Sequence, residues 1–416
     1  MRAIRWAMAA GLMASTAAMG AGPRNVSFET RLRLGYDDNV NRTEEDRQGS
    51  FTTAAGATIS GALRLDRAFL SLRYSAGLTW FENRRSDQDV DWSHSVDFTW
   101  NQTLSRRFSF GITDVFRYVD RPEVFRDDGV TLQRRDATYI YNSLHGTLSS
   151  VLTTRTRLDT SGRYIILRYD ERVTAEREDY NTLVGGLTLR GQLTPDTSGF
   201  LDARAEQMDY PKAGRVQANP IEMPGADADV VQRAVPDRSA DTLSFGLGLD
   251  QVFSPGLVGL FRAGVTHKQY EAANTGSSTW PYAEANVTLS PNPAFRVALG
   301  ISHSLYQSSV VTYVNQRRTA GTLRLGHDLT ARLQANLSAA LVFSRYDQDE
   351  SVDDITVEQA RDGDETAVTF GARLSYRLGN RNRHWLEAGW ARTDLASDIR
   401  DDYYRNVYDL AWRMRL

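Results

Sequence analysis

The sequence lacks cysteine and is nearly free of lysine. Without cysteine, neither a disulfide framework nor a lipid-modified N-terminal cysteine is possible. Lys212 and Lys268 are the only lysines among 49 basic residues, so 47 are arginines. A GC-rich genome would produce this bias, and so would selection for the planar guanidinium that binds carboxylates and phosphates. The formal net charge of -3 is not that of a nucleic-acid-binding protein, so we predict no nucleic-acid partner.

Long apolar runs are also missing beyond the first 22 residues. Hydrophobic residues make up 41% of the chain and mean hydropathy is -0.45, which excludes a bundle of membrane helices and suits strands with one apolar face. At the start, arginines precede an apolar stretch that closes on small residues. We predict that residues 1–21 are a secretory signal peptide, cleaved after Gly20 or Ala21, and that residues 22–416 form the mature domain. A retained membrane anchor is the alternative, disfavoured because the run is short.

The end of the chain alternates between two kinds of side chain. Every second residue from Tyr404 to Leu416 is apolar, aromatic or an amide, and Arg405, Asp409 and Arg413 lie between them. A period of two residues predicts a β-strand with one apolar and one charged face. The same alternation recurs along nearly the whole mature chain, which predicts an all-β fold.

The connections predict the closed form of that fold. Eight short turns and nine longer polar loops separate eighteen strands, and an even number places both termini on one side. Short turns on one side and long loops on the other are typical of outer-membrane barrels. We therefore predict a transmembrane antiparallel up-and-down β-barrel of about eighteen strands. Sixteen strands is the alternative, and a soluble propeller is disfavoured because repeats of about 40 residues are not evident.

Two regions leave their structure open at this point. Three segments between Phe108 and Tyr169 alternate weakly, so that Asp114 and Arg168 fit either face and a bulge would be one explanation. The longest loop, about residues 210–240, holds four prolines. It would fold inward as a constriction, cap the outer mouth or remain disordered.

Aromatic residues cluster near the ends of the predicted strands. Such positions form girdles at the two interfaces of a membrane, although strand ends in soluble sandwiches carry aromatics too. The predicted girdle residues are Tyr36, Trp80, Trp92, Trp100, Phe108, Tyr346, Trp390, Tyr404 and Trp412.

The faces opposite the apolar ones carry many charges. Burying them in a dry core would be prohibitive, so the lumen is predicted to be wet or to contain many ion pairs. Arginine rows facing carboxylates would orient an acidic polymer, and mutual neutralisation that supports the wall is an equal alternative. The pore-lining candidates are Glu29, Arg31, Arg33, Arg73, Asp97, Asp202, Arg204, Glu206, Arg262, Arg296, Arg324, Arg373, Arg377, Arg405 and Arg413, with Asp250, Glu284, Glu387 and Asp409 on the same faces.

The first strand and its exit loop contain a short motif, Gly35-Tyr36-Asp37-Asp38-Asn39-Val40. This motif, with the signal peptide and the alternating strands, resembles the bacterial beta-barrel porin type 2 family. The resemblance implies an outer-membrane barrel, often associated with exopolysaccharide export, that carries no catalytic residues. Leu416 stands where a terminal aromatic is usual. The alternating residues Tyr408, Leu410, Trp412, Met414 and Leu416 are the predicted assembly signal.

Catalytic and metal-binding patterns are not found in the sequence. The six histidines lie singly, without metal-ligand spacing, so we predict no metal, no cofactor and no enzyme activity. The predicted function is an outer-membrane channel for hydrophilic material in a Gram-negative bacterium, as the barrel of an exopolysaccharide export system. A diffusion porin for small solutes and a non-conducting structural or adhesin barrel are the alternatives. The expected partners are outer-membrane lipid and lipopolysaccharide, the barrel assembly machinery, a periplasmic polysaccharide export protein and the polysaccharide cargo.

Overall fold

The protein is an antiparallel β-barrel of eighteen strands in the computed structural model. The structure describes residues 24–84, 88–120, 137–212, 238–271, 276–308, 313–348, 363–379 and 383–416. The strands are β1 (Arg24–Asp37), β2 (Ser50–Arg64), β3 (Ala68–Phe81), β4 (Val90–Thr103), β5 (Phe108–Val119), β6 (Tyr139–Val151), β7 (Thr156–Tyr169), β8 (Tyr180–Thr194), β9 (Thr197–Asp209), β10 (Ala240–Ser254), β11 (Leu257–Tyr270), β12 (Ser277–Asn292), β13 (Phe295–Gln307), β14 (Tyr313–Asp328), β15 (Leu333–Gln348), β16 (Gly363–Leu378), β17 (His384–Ser397) and β18 (Tyr403–Arg415). One helix, α1 (Arg172–Glu178), lies between β7 and β8.

Each strand pairs with its neighbours in sequence, and the sheet closes where the first strand meets the last. β1 pairs with β18 from Glu29–Arg415 to Asp37–Val407. Leu416 then exchanges two backbone hydrogen bonds with Phe28. Closure removes the free sheet edges that would otherwise leave backbone groups unpaired in lipid. The predicted eighteen-stranded barrel is therefore confirmed.

We call the end that holds the chain termini and short turns the turn end, and the end with the long connections the loop end. The predicted signal peptide, residues 1–21, lies outside the described residues. So does most of the predicted 210–240 loop. None of the helices in the described part of the chain is long and apolar enough to cross a membrane.

The two faces of the wall differ as the alternation predicts. Leu34 on β1 and Leu410 on β18 are paired with each other and are 63% and 65% exposed. Arg33 lies between Leu32 and Leu34 in β1, so its side chain is on the inward face. One girdle residue was predicted wrongly: Tyr346 is completely buried and donates a hydrogen bond to Glu365 on the inward side. Tyr346 lies an even number of residues from inward Val342 in β15, so its side chain faces inward too. Its place near the strand end does not decide which way it faces.

The three weakly alternating strands, β5 to β7, form regular ladders without a register shift. Asp114 pairs with Phe98 and Leu144, so it lies on the outward face. Arg168 pairs with outward Ile140 and is outward too. Both polar residues therefore follow the alternation, and the register resolves what the sequence left open.

Cross-strand rows climb toward the loop end as strand number increases. Arg31, in the middle of β1, is linked through its successive partners Gly56, Gly77 and Ser93 to Val119, the last residue of β5. The strands are thus tilted against the barrel axis, as closure of a barrel requires, and typical tilts are about 35–45°. Depth in the membrane must be read along this tilt.

The wall has one fork, between β12 and β13. Their pairing stops at Ala283–His303, although β12 continues to Ser277 at the loop end and β13 to Gln307. Pro281 lies in the fork and has no N–H to donate to a neighbouring strand. A side-chain contact reaches across it, where Lys268 on β11 donates a hydrogen bond to Gln307 on β13.

Candidate functional site on the inward wall

Six charged side chains meet on the inward face where the barrel closes. We call them the seam cluster: Arg31, Arg33, Arg373, Glu387, Asp409 and Arg413. Glu387 contacts three arginines at once, with N···O distances of 2.6 Å to Arg31, 3.3 Å to Arg373 and 3.1 Å to Arg413. It is only 7% exposed, because these guanidinium groups surround it.

The second carboxylate of the seam cluster is held in a two-point contact. Arg373 donates from Nη2 to Asp409 Oδ1 at 3.0 Å and from Nη1 to Oδ2 at 3.1 Å. Gly389 lies between the two residues in the ladder. A Cβ atom there would lie 2.5 Å from Asp409 Oδ1 and 2.9 Å from Arg373 Nη2. Glycine therefore leaves the space in which the paired contact forms.

The seam cluster holds more arginine than carboxylate. Four guanidinium groups face two carboxylates, so two positive charges remain uncompensated within it. Arg33 makes no ion pair with any described residue, and its side chain lies between Arg31 and Gly35 on the same inward face. The side chains of Arg31, Arg373 and Arg413 are 31% to 40% exposed and therefore remain within reach of solvent. The wall here presents a positive surface to the lumen.

Four more predicted arginines lie inward without an ion pair to any described residue: Arg73, Arg296, Arg324 and Arg377. Arg324 pairs in register with Ala298 and Ser338, and neither neighbour carries a charge. Arg377 pairs in register with Trp385. The Arg413 guanidinium lies over the ring of the same tryptophan, 4.6 Å from its centroid. Positive charge thus continues from the seam cluster onto β14 and toward the turn end.

Six of the other predicted residues, all except Glu29, take part in the local pairs given next. The contacts are Arg117–Asp97 at 2.5 Å, Arg204–Glu206 at 2.6 Å, Arg405–Asp37 at 2.6 Å and a two-point Arg262–Asp202 pair joined by the Tyr282 hydroxyl at 3.4 Å. Arg190 pairs with Asp250. These arginines are neutralised where they stand, unlike Arg33 and Arg324.

The structure places all fifteen pore-lining candidates on the inward face by register: Glu29, Arg31, Arg33, Arg73, Asp97, Asp202, Arg204, Glu206, Arg262, Arg296, Arg324, Arg373, Arg377, Arg405 and Arg413. Their role in lining a pore stays a prediction. Sequence reasoning did not name the inward arginines Arg117, Arg163, Arg190 and Arg318. Parity would have found Arg190 and Arg318, whereas the weak alternation of β5 and β7 left the faces of Arg117 and Arg163 open. The predicted assembly residues Tyr408, Leu410, Trp412 and Met414 face outward, in register with outward β17 residues.

The loop end is narrowed by segments that pack over the inward wall. Ala175 of α1 is buried against a cluster that includes Tyr139, Leu167 and Tyr169. Arg238, 1% exposed, donates to the backbone oxygen of Arg177 at 2.5 Å.

Arg238 also joins distant parts of the loop end. It donates to the backbone oxygen of Ser308 at 3.4 Å and lies over the Tyr210 ring at 4.6 Å. Desolvation works to lower the pKa of Arg238, but Tyr210 and Glu178 outweigh it and raise that pKa above its ordinary value. The buried charge therefore persists and ties the segments after β7, β9 and β13 together.

Within the described ranges, no group of three or more histidine and acidic side chains is placed to hold a metal ion. The inward wall carries partly exposed guanidinium groups. Partly exposed guanidinium groups attract carboxylates, sulfates and phosphates and bind them in two-point contacts. A wall of several such groups acts as a field along the lumen rather than as one tight site.

A closed eighteen-stranded sheet, apolar outside and charged inside, defines an outer-membrane type of barrel, the porin-like class. The sequence model of the family described as "Putative beta-barrel porin 2" matches residues 168–416, more than half of the chain. The protein belongs to this family. The match begins in β7 and includes the seam strands β16, β17 and β18.

Solved structures of proteins from two bacteria resemble this chain. OccAB4 of Acinetobacter baumannii has 9% identity and a TM-score of 0.49, with 94% of this chain and 98% of that chain covered. OpdK of Pseudomonas aeruginosa, solved with vanillate, has 10% identity and a TM-score of 0.49, with 94% and 99% covered. OccK9 (OpdG) of Pseudomonas aeruginosa has 14% identity and a TM-score of 0.48, with 94% and 98% covered. No curated protein matches the chain.

Proposed function

We propose that this protein is an outer-membrane channel for anionic hydrophilic material, and that its cargo is an acidic polysaccharide. The observation that carries the proposal is the excess of arginine on the inward wall, concentrated in the seam cluster and Arg324. A guanidinium fork meets the carboxylate of a uronic acid in the same geometry in which Arg373 meets Asp409.

The arrangement suits passage better than storage. Glu387 and Asp409 occupy the forks of Arg31, Arg373 and Arg413. A passing carboxylate competes with these internal partners, so each contact is weak and exchangeable. A polymer with repeated charges would then move along the wall from one guanidinium to the next, without a single deep binding site to trap it.

The choice of a polysaccharide rests on the resemblance of the Gly35–Val40 motif to a family associated with exopolysaccharide export. A diffusion porin for small anionic solutes is the second candidate. The contacts of Arg238 at the loop end favour it, because they draw together segments from distant strands and narrow the mouth.

The first test is genetic. Deleting the gene should abolish surface polysaccharide while leaving uptake of small solutes intact. A deletion strain that secretes polymer normally but loses uptake of a small anion would establish the diffusion porin instead. Complementation with a variant carrying Arg33→Glu, Arg324→Glu and Arg373→Glu should impair export more than it impairs insertion.

The second test is electrical. The purified barrel in a planar bilayer should conduct with a preference for anions, and the triple charge reversal should shift that preference toward cations. Arg345→Glu is the matched control, because Arg345 undergoes the same charge change on the outward face, 54% exposed and 3.9 Å from Asp364. A bilayer that stays silent with correctly folded protein would favour the structural or adhesin barrel.

A further inference from the structure

The outward face carries a carboxylate where lipid is expected. Asp114 lies in the middle of β5 between the outward residues Ile112 and Phe116, and its ladder partners are Phe98 and Leu144. Asn142, also outward, donates to Asp114 Oδ1 at 2.8 Å. Ionisable residues at such depth are expensive in hydrocarbon and normally face protein or water.

A groove lies beside this pair on the same outward face. It has a volume of about 440 Å³ and is lined by Phe110, Ile112, Leu148, Thr160 and the glycines of β6 and β7. The groove exists because Gly146 and Gly162 pair in register and leave the wall without side chains there. Small residues and buried polar pairs are the two features by which proteins pack against each other inside membranes.

An outward aromatic pair, Tyr74 with His94, lies on the other side of Asp114, and we call it the ridge. Tyr74 on β3 faces outward, and its hydroxyl lies 2.8 Å from His94 Nδ1 on β4. The two rings are stacked, with centroids 6.2 Å apart, so the tyrosine is held in place. The groove and the ridge therefore flank Asp114. Tyr74 lies two strands before β5, and Gly162 lies two strands after it.

The strand tilt brings ridge and groove to the same depth. Tyr74 is in the same cross-strand row as Phe116, which lies two residues nearer the loop end than Asp114. Gly162 is in the same row as Ile112, which lies two residues nearer the turn end than Asp114. Because rows climb toward the loop end with strand number, moving two strands along a row changes the depth in one direction. The two-residue step along the strand changes it in the other direction, so the two changes compensate. Two strands sideways are about 10 Å and two residues about 7 Å, which at a tilt of about 40° change depth by similar amounts.

We propose that the outward face of β3 to β8 binds a second copy of this chain in the membrane. Two barrels inserted in the same direction are related by a twofold axis parallel to the membrane normal, which preserves depth. With that axis beside Asp114, Tyr74 of each copy enters the groove at Gly162 of the other. The Asp114–Asn142 pairs of both copies then meet protein instead of lipid. This inference is independent of what the channel transports.

The first experiment uses the absence of cysteine from the natural chain. Two differently tagged chains, one with Tyr74→Cys and one with Gly162→Cys, are expressed together and oxidised in the outer membrane. The proposal requires a mixed disulfide between them. The control pairs Tyr74→Cys with Gly321→Cys, an outward glycine on β14 between outward Ile301 and Leu341. Mixed disulfides at equal yield in both pairs, or in neither, would overturn the proposal.

The second experiment measures mass. Wild-type barrels in lipid nanodiscs should contain two copies, and Gly162→Leu should convert them to one copy. A Cβ atom at Gly162 meets nothing closer than Val184 O at 4.0 Å, and one at Gly321 meets nothing within 4 Å, so both sites accept a side chain without disturbing the fold. Gly321→Leu should leave two copies. A wild-type mass of one copy, as expected if lipid fills the groove, or of three copies contradicts the twofold contact.

Discussion

The wall at the seam, formed by β16, β17, β18 and β1, differs from the wall formed by β5 to β8 in where its acidic side chains lie at mid-strand. At the seam the charges around Glu387 face inward, and the outward face around Leu34 and Leu410 is apolar. Nearer the loop end, outward Arg392 and Asp394 form an ion pair with each other. In β5 to β8 the inward face mixes Val115 and Ile165 with Arg117 and Arg163, while Asp114 faces outward.

The difference shows that register and polarity are set by separate causes. Alternation along a pleated strand fixes which side each residue faces in both walls. What lies against that side then decides which residue type is stable there. Lipid against the seam requires apolar side chains, and an outward carboxylate in β5 is stable only if something other than hydrocarbon covers it. The following predictions test this contrast, beginning with the largest effect.

Damage to the outward seam face should prevent assembly. Deleting residues 410–416 removes half of β18 and reopens both edges, so we expect almost no inserted barrel. Trp412→Asp should also deplete it, because a charge on the lipid face costs up to about 2–4 kcal/mol for Arg or Lys and less for Asp. The measurement is heat-modifiable mobility of outer-membrane protein on an unheated gel.

The matched change on the other wall is Asp114→Leu, which removes a carboxylate from an outward position. It should insert at least as well as the wild type. Depletion of the Asp114→Leu barrel to the level of Trp412→Asp would show that the two outward faces do not differ as described.

Removing the shared carboxylate of the seam cluster should have the next largest effect. Glu387→Gln leaves three arginines without their common partner, and we expect a loss of about 1–3 kcal/mol in unfolding free energy. The same change should increase the preference for anions in a planar bilayer. Asp159→Asn on the inward face of β7 is the control, because the ion pair of Asp159 is with Arg157, which is 47% exposed. Equal effects of both variants would remove the special role of the seam.

Much of this contrast could be predicted from the sequence, and the part that could not has a physical reason. Parity alone placed Arg33, Arg324 and Arg373 on the inward face, because a period of two leaves one choice once the apolar face is known. It could not unite Arg31 with Glu387, which are 356 positions apart and meet only through closure of the barrel. Closure depends on the register of β1 with β18, which local patterns do not encode.

The sequence also failed in two smaller ways. Tyr346 was assigned to the girdle from its position near a strand end. Its parity with Val342 places its side chain on the inward face at the loop end, where it is fully buried. Asp114 remained ambiguous because apolar residues lie on both sides of β5, so no face was marked as the oily one. In both cases pairing with the neighbouring strands supplied what was missing.

A smaller effect is expected from crowding the two-point contact at the seam. Gly389→Ala places a Cβ atom 2.5 Å from Asp409 Oδ1, so either the Arg373–Asp409 pair or the strand must shift. Overpacking of this kind costs about 1–3 kcal/mol, and flexible side chains favour the lower end. The midpoint of urea unfolding in detergent should fall. Gly61→Ala is the control, since nothing lies within 4 Å of its added Cβ, and its midpoint should not fall.

The smallest effect should be the coupling between Asp114 and Asn142. A double-mutant cycle with Asp114→Leu and Asn142→Leu isolates their hydrogen bond, for which cycles in membrane proteins average about 0.6 kcal/mol. The Arg373–Asp409 cycle at the seam should give a larger coupling, because two charge-assisted hydrogen bonds of 3.0 and 3.1 Å are lost together. Both cycles are read from unfolding in the same detergent. If the outward pair coupled as strongly as the inward one, Asp114 would be held by its own strand neighbours alone, and a covering partner would not be needed to explain its position.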